Sequence, residues 1–117
     1  MKDKPLTYLA IPYSSDNALI REYRFQLANK IAAKLMNNGY LVFSPISHTH
    51  PIAIAGNLPK DWEYWKNFDK AYLNYCHKII IIMAEGWKES KGVQGEIEIA
   101  KELGLEIEYI EPEDFLQ

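Results

Sequence analysis

The stretch Ile79-Ile80-Ile81-Ile82-Met83-Ala84 decides the fold. Four consecutive β-branched residues with no polar residue among them are typical of a strand that is buried on both faces, as in a parallel sheet. The run is far shorter than the roughly 20 apolar residues that cross a bilayer. It therefore predicts the central strand of a parallel sheet, and we expect no membrane span.

The segments before this strand alternate between strand and helix patterns. Residues 6–11 form an apolar run that predicts a buried strand, and the turn-forming residues 12–17 end it. A long helix follows to about Asn38, where the next residue is a glycine typical of helix ends. Residues 40–43 then predict a second strand.

The segment 44–60 has no clear periodicity. It contains three prolines, two histidines and one glycine. Such a composition predicts a long loop, and long loops inside compact domains are often functional. We therefore expect a loop here that forms a lid over a binding site.

The second half of the chain continues the alternation. Asp61 begins a helix that runs to about Tyr75 and leads into the isoleucine strand. A polar loop, residues 85–91, opens onto a helix from about Gly92, and the alternating residues 105–110 predict an edge strand. Strands separated by helices imply right-handed crossovers, so we predict a doubly wound parallel sheet in a flavodoxin- or Rossmann-like three-layer domain with four or five strands.

Length and composition limit the function. The chain of 117 residues has room for one core, so residues 1–117 are expected to form a single domain. The first residues lack the apolar segment of an export signal, and we expect a cytoplasmic protein. A formal charge of −3 provides no basic surface for a nucleic-acid polymer, and one cysteine forms no intrachain disulfide.

The predicted topology shows where a ligand would bind. In open parallel sheets, ligands bind beyond the carboxyl ends of the strands. The segments expected there are residues 12–17, 44–60 and 85–92. Candidate site residues should therefore come from these loops and from the helix turns that follow them.

Each of the three helices predicted to connect strands carries one ionisable residue on its apolar side: Arg24, Asp69 and Glu96. Such residues are rarely buried unless they are paired or functional. One interpretation is structural: Arg24 forms an internal ion pair with one or both acids, or the ends of the apolar helix sides extend past the sheet into water. The other places both carboxylates in one cleft. The apolar sides comprise Ile20, Leu27 and Ile31 in the first helix, Trp62, Trp65, Tyr72, Leu73 and Cys76 in the middle one, and Val93, Ile97, Ile99, Ala100 and Leu103 in the last.

Two carboxylates in one cleft suit glycosyl chemistry. One of them can attack or stabilise an oxocarbenium-like carbon while another group manages the proton. Ser90 and Gly92 precede Glu96 at the start of the last helix, where free backbone N–H groups favour a phosphate. Capping of the helix by Ser90 explains that serine equally well.

Other polar residues have simpler alternatives. Ser14 and Ser15 follow the first strand beside Tyr13, either as a second phosphate site or as an ordinary turn. His48 and His50 could bind a base or a metal, but no carboxylate spacing completes a metal site, so we predict none. Trp62 and Trp65 fit the core, although one of them at the cleft rim could hold a base.

With these residues located, the chain resembles the nucleoside 2-deoxyribosyltransferase-like superfamily, especially its nucleotide N-hydrolase branch and its small phage and bacterial relatives. The resemblance spans nearly the whole chain. It rests on Tyr8-Leu9-Ala10-Ile11-Pro12-Tyr13-Ser14, on Phe68-Asp69, and on the stretch from Ser90 to Ala100. That last stretch is similar to a Gly-x-x-x-Glu-x-Gly-x-Ala signature, with Glu98 in place of the second glycine.

The resemblance implies roles for individual residues. Glu96 matches a catalytic nucleophile, Asp69 an acid that assists the sugar or the leaving base, Tyr13 a site tyrosine, and Ser90 a phosphate-binding serine. Ser14, Ser15 and Arg24 are further candidates for binding the phosphate. We also expect the helix dipole to keep Glu96 ionised, because it lies near a helix N-terminus.

The expected function is hydrolysis of the N-glycosidic bond of a nucleoside 5′-monophosphate, with no cofactor. The alternatives are a deoxyribosyltransferase that passes the sugar to a second base, a non-catalytic nucleotide-binding or sensing module, and a structural subunit with an internal ion cluster. Because the chain is short and the relatives it resembles complete their sites across subunits, we expect a homodimer or larger homo-oligomer.

Overall fold

A computed structural model describes residues 5–114. Four strands and four helices follow one another along these residues, and a short 3₁₀ helix, Pro112–Asp114, comes after the last strand. The strands are β1 (Leu6–Ala10), β2 (Val42–Phe43), β3 (Cys76–Ile82) and β4 (Glu106–Ile110). The helices are α1 (Ala18–Asn37), α2 (Pro45–Gly56), α3 (Trp62–Leu73) and α4 (Lys91–Leu103).

The strands form one parallel sheet in the order β2-β1-β3-β4. The isoleucine run lies in β3, a central strand, and Ile79 to Ile82 have no exposed surface. Helices cover both faces of the sheet. The predicted doubly wound parallel sheet with three layers is therefore confirmed, with four strands.

The two faces of the sheet have separate apolar cores. On one face, Leu9 and Ile80 pack with α1 side chains such as Ile31. On the other face, Tyr8 packs with residues of α3 and α4, including Val93. Because side chains alternate along a strand, neighbouring residues of β1 belong to different cores. Tyr8 consequently faces the two helices that carry the candidate acids.

The expected loop at residues 44–60 is wrong, because most of it is helix α2. Pro45 occupies the first turn, where its missing N–H is tolerated, and Asn57 ends the helix with a left-handed backbone. Pro51 lies inside the helix, where it cannot donate a backbone hydrogen bond. The prolines that indicated a loop thus occupy a helix start, a helix interior and the segment after the helix.

Two predicted core positions are also wrong. Ile20 and Leu103 are both exposed. Each lies in a terminal turn of its helix, Ile20 in the first turn of α1 and Leu103 at the last residue of α4. Apolar periodicity identifies the inner side of a helix, but it does not show how far along the helix the covered part extends.

The sheet order creates a crevice between β1 and β3. From β1 the chain continues through α1 to β2 on one side, whereas from β3 it continues through α4 to β4 on the other side. Connections that leave in opposite directions open a crevice at the carboxyl ends of the two strands. Among residues 5–114, no helix is long and apolar enough to span a membrane.

Candidate active site

Three buried polar side chains meet between the sheet and its two covering helices. The exposed fraction is 0% for Tyr8 on β1, 8% for Asp69 on α3 and 6% for Glu96 on α4. The Tyr8 hydroxyl donates a hydrogen bond to Oε2 of Glu96 at 2.5 Å. Asp69 lies beside both groups and interacts electrostatically with each of them. The two acids that the sequence places on apolar helix sides are therefore in one cluster.

Close packing of α3 against α4 holds the two acids together. A Cβ atom on Gly95 would lie 2.4 Å from Cζ2 of Trp62. The Trp62 ring therefore lies directly on the α4 backbone, one residue before Glu96. Only glycine permits this approach, because any side chain at position 95 would overlap the indole.

Burial raises the proton affinity of both carboxyl groups. Loss of solvent raises the pKa of Asp69 to about 6, although its polar neighbours Glu96 and Tyr8 oppose the rise. The pKa of Glu96 is raised well above its ordinary value, first by burial and then by the neighbouring Asp69 charge, while the Tyr8 hydrogen bond opposes this. The expectation that the helix dipole keeps Glu96 ionised is therefore wrong, because burial outweighs the dipole.

The carboxyl cluster opens into a cavity of about 560 Å³, measured with the solvent at its mouth. Asp69 and Glu96 line the cavity, as do Tyr13, Ser14, Ser90 and Gly92 among the candidates from the sequence. Trp62 and Trp65 form part of its wall, so both tryptophans border the cavity rather than fill a closed core.

Ser90 is a helix cap that also faces the cavity. Its Oγ accepts a hydrogen bond from the backbone N–H of Val93 at 3.1 Å, which is the capping arrangement that the sequence allows. A serine hydroxyl also has one hydrogen to donate. A Cβ atom on Gly92 would meet no atom closer than 3.8 Å, so the backbone there is open.

The remaining candidates for phosphate binding have other partners. Ser14 donates to the carbonyl oxygen of Lys60 at 2.6 Å, and Ser15 accepts from the backbone N–H of Asn17 at 3.1 Å. Arg24 donates to the carbonyl oxygen of Ser14 at 2.9 Å and also contacts that of Glu85. Arg24 thus joins the loops after β1 and β3. Ser15 lines a separate recess, to which Ser14 also contributes. Neither Ser15 nor Arg24 lines the cavity beside Asp69 and Glu96.

A second hydrogen-bonded group includes two residues that line the cavity, Tyr13 and His50. The Tyr13 hydroxyl lies 2.7 Å from Nδ1 of His50, and Nε2 of His50 lies 3.0 Å from Oε1 of Glu22. Burial raises the pKa of Tyr13, while the nearby Arg21 opposes this effect. Hydrogen bonds from Gln26 and His50 lower the pKa of Glu22, so Glu22 is ionised. The chain thus runs from an ionised carboxylate to a cavity-lining hydroxyl.

The other loop histidine has a different environment. The His48 ring stacks on Phe68, with 6.1 Å between the ring centroids. Among residues 5–114, no group of three His, Cys, Asp or Glu side chains is arranged to hold a metal ion. His50 lies beside one acidic side chain, that of Glu22, and this pair does not complete a metal site.

The site contains residues that the sequence did not single out. The sequence indicates only that Tyr8 lies in a buried strand. A buried tyrosine hydroxyl needs a hydrogen-bond partner, and this requirement is the signal in the sequence that points to a polar group beside Tyr8. Glu22 gave no signal, because it is one of many charged residues on a long helix. The sequence offers His50 only as a base or metal ligand in a loop, and its contact with Tyr13 depends on helix α2, which the sequence does not predict.

Together, the fold and the site define a Rossmann-like α/β protein with a buried carboxylate pair at the carboxyl edge of its parallel sheet. The chain belongs to the family described as DUF1937, a domain of unknown function, which matches residues 5–111. No curated protein matches the chain.

Proposed function

We propose that this protein hydrolyses the N-glycosidic bond of a nucleoside 5′-monophosphate, with Glu96 as the nucleophile and Asp69 as the acid. The observation that carries the proposal is the cluster of Tyr8, Asp69 and Glu96 at the edge of a cavity, in which Tyr8 hydrogen bonds to Glu96 and Asp69 lies beside both. Two adjacent carboxyl groups, one able to attack and one able to protonate, are the pair that glycosidic cleavage requires.

The raised pKa values of the two carboxyl groups supply the proton that the leaving base needs. Because both carboxyl groups bind protons more tightly than usual, the pair retains a proton near neutral pH. Attack by Glu96 requires the shared proton to reside on Asp69, an arrangement that the Tyr8 hydrogen bond to Glu96 favours. In the first step Glu96 attacks C1′, the electrons of the C1′–N bond go to the base, and Asp69 donates its proton to the base.

The start of α4 supports a phosphate on the substrate. Its free N–H groups, the Ser90 hydroxyl and the open backbone at Gly92 all border the same cavity as Glu96. Helix N-termini favour anions because of these free N–H groups and the helix dipole. Ser14 also lines the cavity and is a further candidate to contact the sugar or the phosphate.

The test is release of free base from nucleotides. The protein is incubated with a panel of ribo- and deoxyribonucleoside monophosphates, and the base is followed by chromatography. Glu96→Gln should abolish release, whereas Glu98→Gln should not, because Glu98 lies two residues further along α4 and is exposed. Absence of Glu96-dependent release from every nucleotide in the panel defeats the proposal.

Two added measurements separate the alternatives. A new nucleoside formed when a second base is supplied would indicate a transferase. Thermal stabilisation by a nucleotide without turnover, retained in Glu96→Ala, would indicate a binding or sensing module. If no nucleotide binds and Glu96→Gln only changes stability, the cluster is structural.

We also propose that the protein acts in the cytoplasm, where a nucleotide substrate is available, as a homodimer or larger homo-oligomer. The large apolar side chains Leu19 and Tyr23 on α1 and Ile54 on α2 are exposed, and such groups are often covered by a partner. Sedimentation velocity measures the assembly state directly. A monomer at micromolar concentration contradicts this part of the proposal.

A further inference from the structure

The hydrogen-bonded chain from Glu22 through His50 to Tyr13 has no part in the first step of the proposed reaction. Three separate elements build it: Tyr13 follows β1, His50 lies on α2 and Glu22 lies on α1. The His50 side chain is 4% exposed, whereas that of Glu22 is 50% exposed. The chain therefore connects the cavity, through a buried imidazole, to the protein surface.

The hydrogen bonds determine the direction in which a proton can move. An ionised Glu22 only accepts hydrogen bonds, so Nε2 of a neutral His50 carries the hydrogen. Nδ1 is then an acceptor, and the Tyr13 hydroxyl donates to it. The imidazole can therefore take a proton from Tyr13 but has none to give at that atom. His50 is therefore arranged to act as a base toward the Tyr13 hydroxyl.

Packing fixes the imidazole in this orientation. The Phe25 ring lies against His50 with 4.4 Å between the ring centroids, and Tyr13 meets the same imidazole edge-on. A ring held on two sides keeps both hydrogen bonds without a large loss of side-chain entropy at the moment of reaction. Such preorganisation is what a proton-transfer group needs.

We infer that Tyr13, His50 and Glu22 form a proton relay that activates the water molecule in the second step of the hydrolysis. This inference rests on the proposed function. Tyr13 is the group that touches the water, whereas His50 and Glu22 are positioning residues that act through it. Tyr13 and His50 line the same cavity as Asp69 and Glu96, and none of the hydrogen bonds of the relay involves the two acids.

The step balances as follows. Water attacks C1′ of the glycosyl ester on Glu96, and the electrons of the C1′–O bond return to the Glu96 carboxylate. One water proton moves to the Tyr13 oxygen while the Tyr13 proton moves to Nδ1 of His50. Glu22 stabilises the resulting imidazolium, which then loses its proton to solvent. The products are the sugar phosphate and the free carboxylate.

The test compares the first turnover with later turnovers in Tyr13→Phe, His50→Gln and Glu22→Gln. In a rapid-quench experiment, each variant should release the first equivalent of base at nearly the wild-type rate. Steady-state turnover should fall about 10²-fold in Tyr13→Phe, which is typical for loss of a general base. Intact-protein mass spectrometry should then detect a sugar-phosphate adduct that Glu96→Gln cannot form.

Azide provides a second measurement, because an anionic nucleophile needs no base. Azide should restore turnover in Tyr13→Phe and His50→Gln by forming a glycosyl azide. Tyr75→Phe, just after α3, is the matched control and should behave as wild type, because its ring is exposed. Glu22→Gln changes an exposed carboxylate, so it keeps the test valid if the buried His50→Gln variant fails to fold.

The outcomes separate the two proposals. Unchanged steady-state turnover in Tyr13→Phe and Glu22→Gln, together with Glu96-dependent base release, overturns the relay and leaves the hydrolase intact. Equal slowing of the first and later turnovers also overturns it. If the wild-type protein releases no base from any nucleotide, both the proposed hydrolysis and the proposed relay are wrong. Nitrogen-15 NMR that finds the hydrogen of His50 on Nδ1 in the free protein overturns the relay alone.

Discussion

The Tyr8 hydroxyl hydrogen bonds to Glu96 at 2.5 Å, across 88 residues of sequence and inside the apolar layer between the sheet and α4. A buried hydroxyl without a partner is costly, and so is a buried carboxylate without a donor. The Tyr8 hydroxyl and the Glu96 carboxylate are each other's hydrogen-bond partners. The contact also joins β1 to α4, so the same hydrogen bond links the fold to the proposed chemistry.

Removing this hydroxyl should impair the nucleophile without disturbing the fold. In Tyr8→Phe, Glu96 loses the donor that favours its ionised form, so its pKa should rise further. Hydrogen bonds to charged groups contribute about 1.5–3 kcal/mol, so kcat/KM for base release should fall by roughly 10- to 100-fold. The exposed Tyr75→Phe is the control, and an equal loss in both variants would contradict this role for Tyr8.

The buried carboxyl groups should lower stability at high pH. Their pKa values in the folded protein exceed the ordinary values of 3.8 for Asp69 and 4.5 for Glu96. The folded state therefore binds more protons than the unfolded chain, and stability falls as the pH rises. The contribution from Asp69 is complete below pH 3.8 and is lost as the pH passes about 6.

Asp69→Asn should consequently be more stable than wild type at pH 8 and lose that advantage near pH 4. The expected gain is on the order of 1 kcal/mol, or roughly 5 °C in Tm for a domain of this size. Differential scanning calorimetry at several pH values measures it. A wild-type protein that gains stability from pH 4 to pH 8 relative to the variant would show that the carboxyl pair is not strained by burial.

Substitutions at Ser90 separate its role as a cap from a role in phosphate binding. Ser90→Ala should lower the free energy of unfolding by about 1 kcal/mol, because Val93 loses its capping acceptor. Ser90→Asp should preserve stability, since aspartate is a good N-cap, but its charge should repel a phosphate. Urea unfolding and nucleotide titration measure the two effects, and tight nucleotide binding by Ser90→Asp would remove Ser90 from the phosphate site.

The glycines of α4 should respond differently to alanine. Gly95→Ala should destabilise by about 1–3 kcal/mol, because the new Cβ overlaps Trp62 and forces the cavity wall to move. Gly92→Ala has open space and should change stability little or increase it by up to about 1 kcal/mol. Chemical denaturation of both variants measures the difference, and equal stabilities would mean that Trp62 does not lie on Gly95.

The sequence predicted the fold because its signals are local. A run of isoleucines, glycines at helix ends and apolar periodicity each depend on residues that are close along the chain. The same periodicity placed Asp69 and Glu96 on inner helix sides, and their meeting follows from the parallel topology. Helix α2 was missed because Pro51 breaks the rule that a helix interior has no proline, and packing against α1 overrides that rule.

The finer features of the site could not be predicted from the sequence. The contact between Tyr8 and Glu96 depends on which face of β1 meets α4, and alternation alone does not decide between the two faces. The relay needs Tyr13, His50 and Glu22 to come together from three elements. The pKa of Glu96 depends on the balance of burial against the helix dipole, and only the packed structure shows that burial prevails.

The outer strands restrict how this protein can associate with itself. Strand β2 has two residues, and β4 carries Glu106 and Glu108, both of which pair with Lys78 of the neighbouring strand. Short or charged edge strands are poor templates for pairing with a strand from another molecule. Fibril-like growth of the sheet is therefore disfavoured at both margins, and partners are left to engage the helical layers instead.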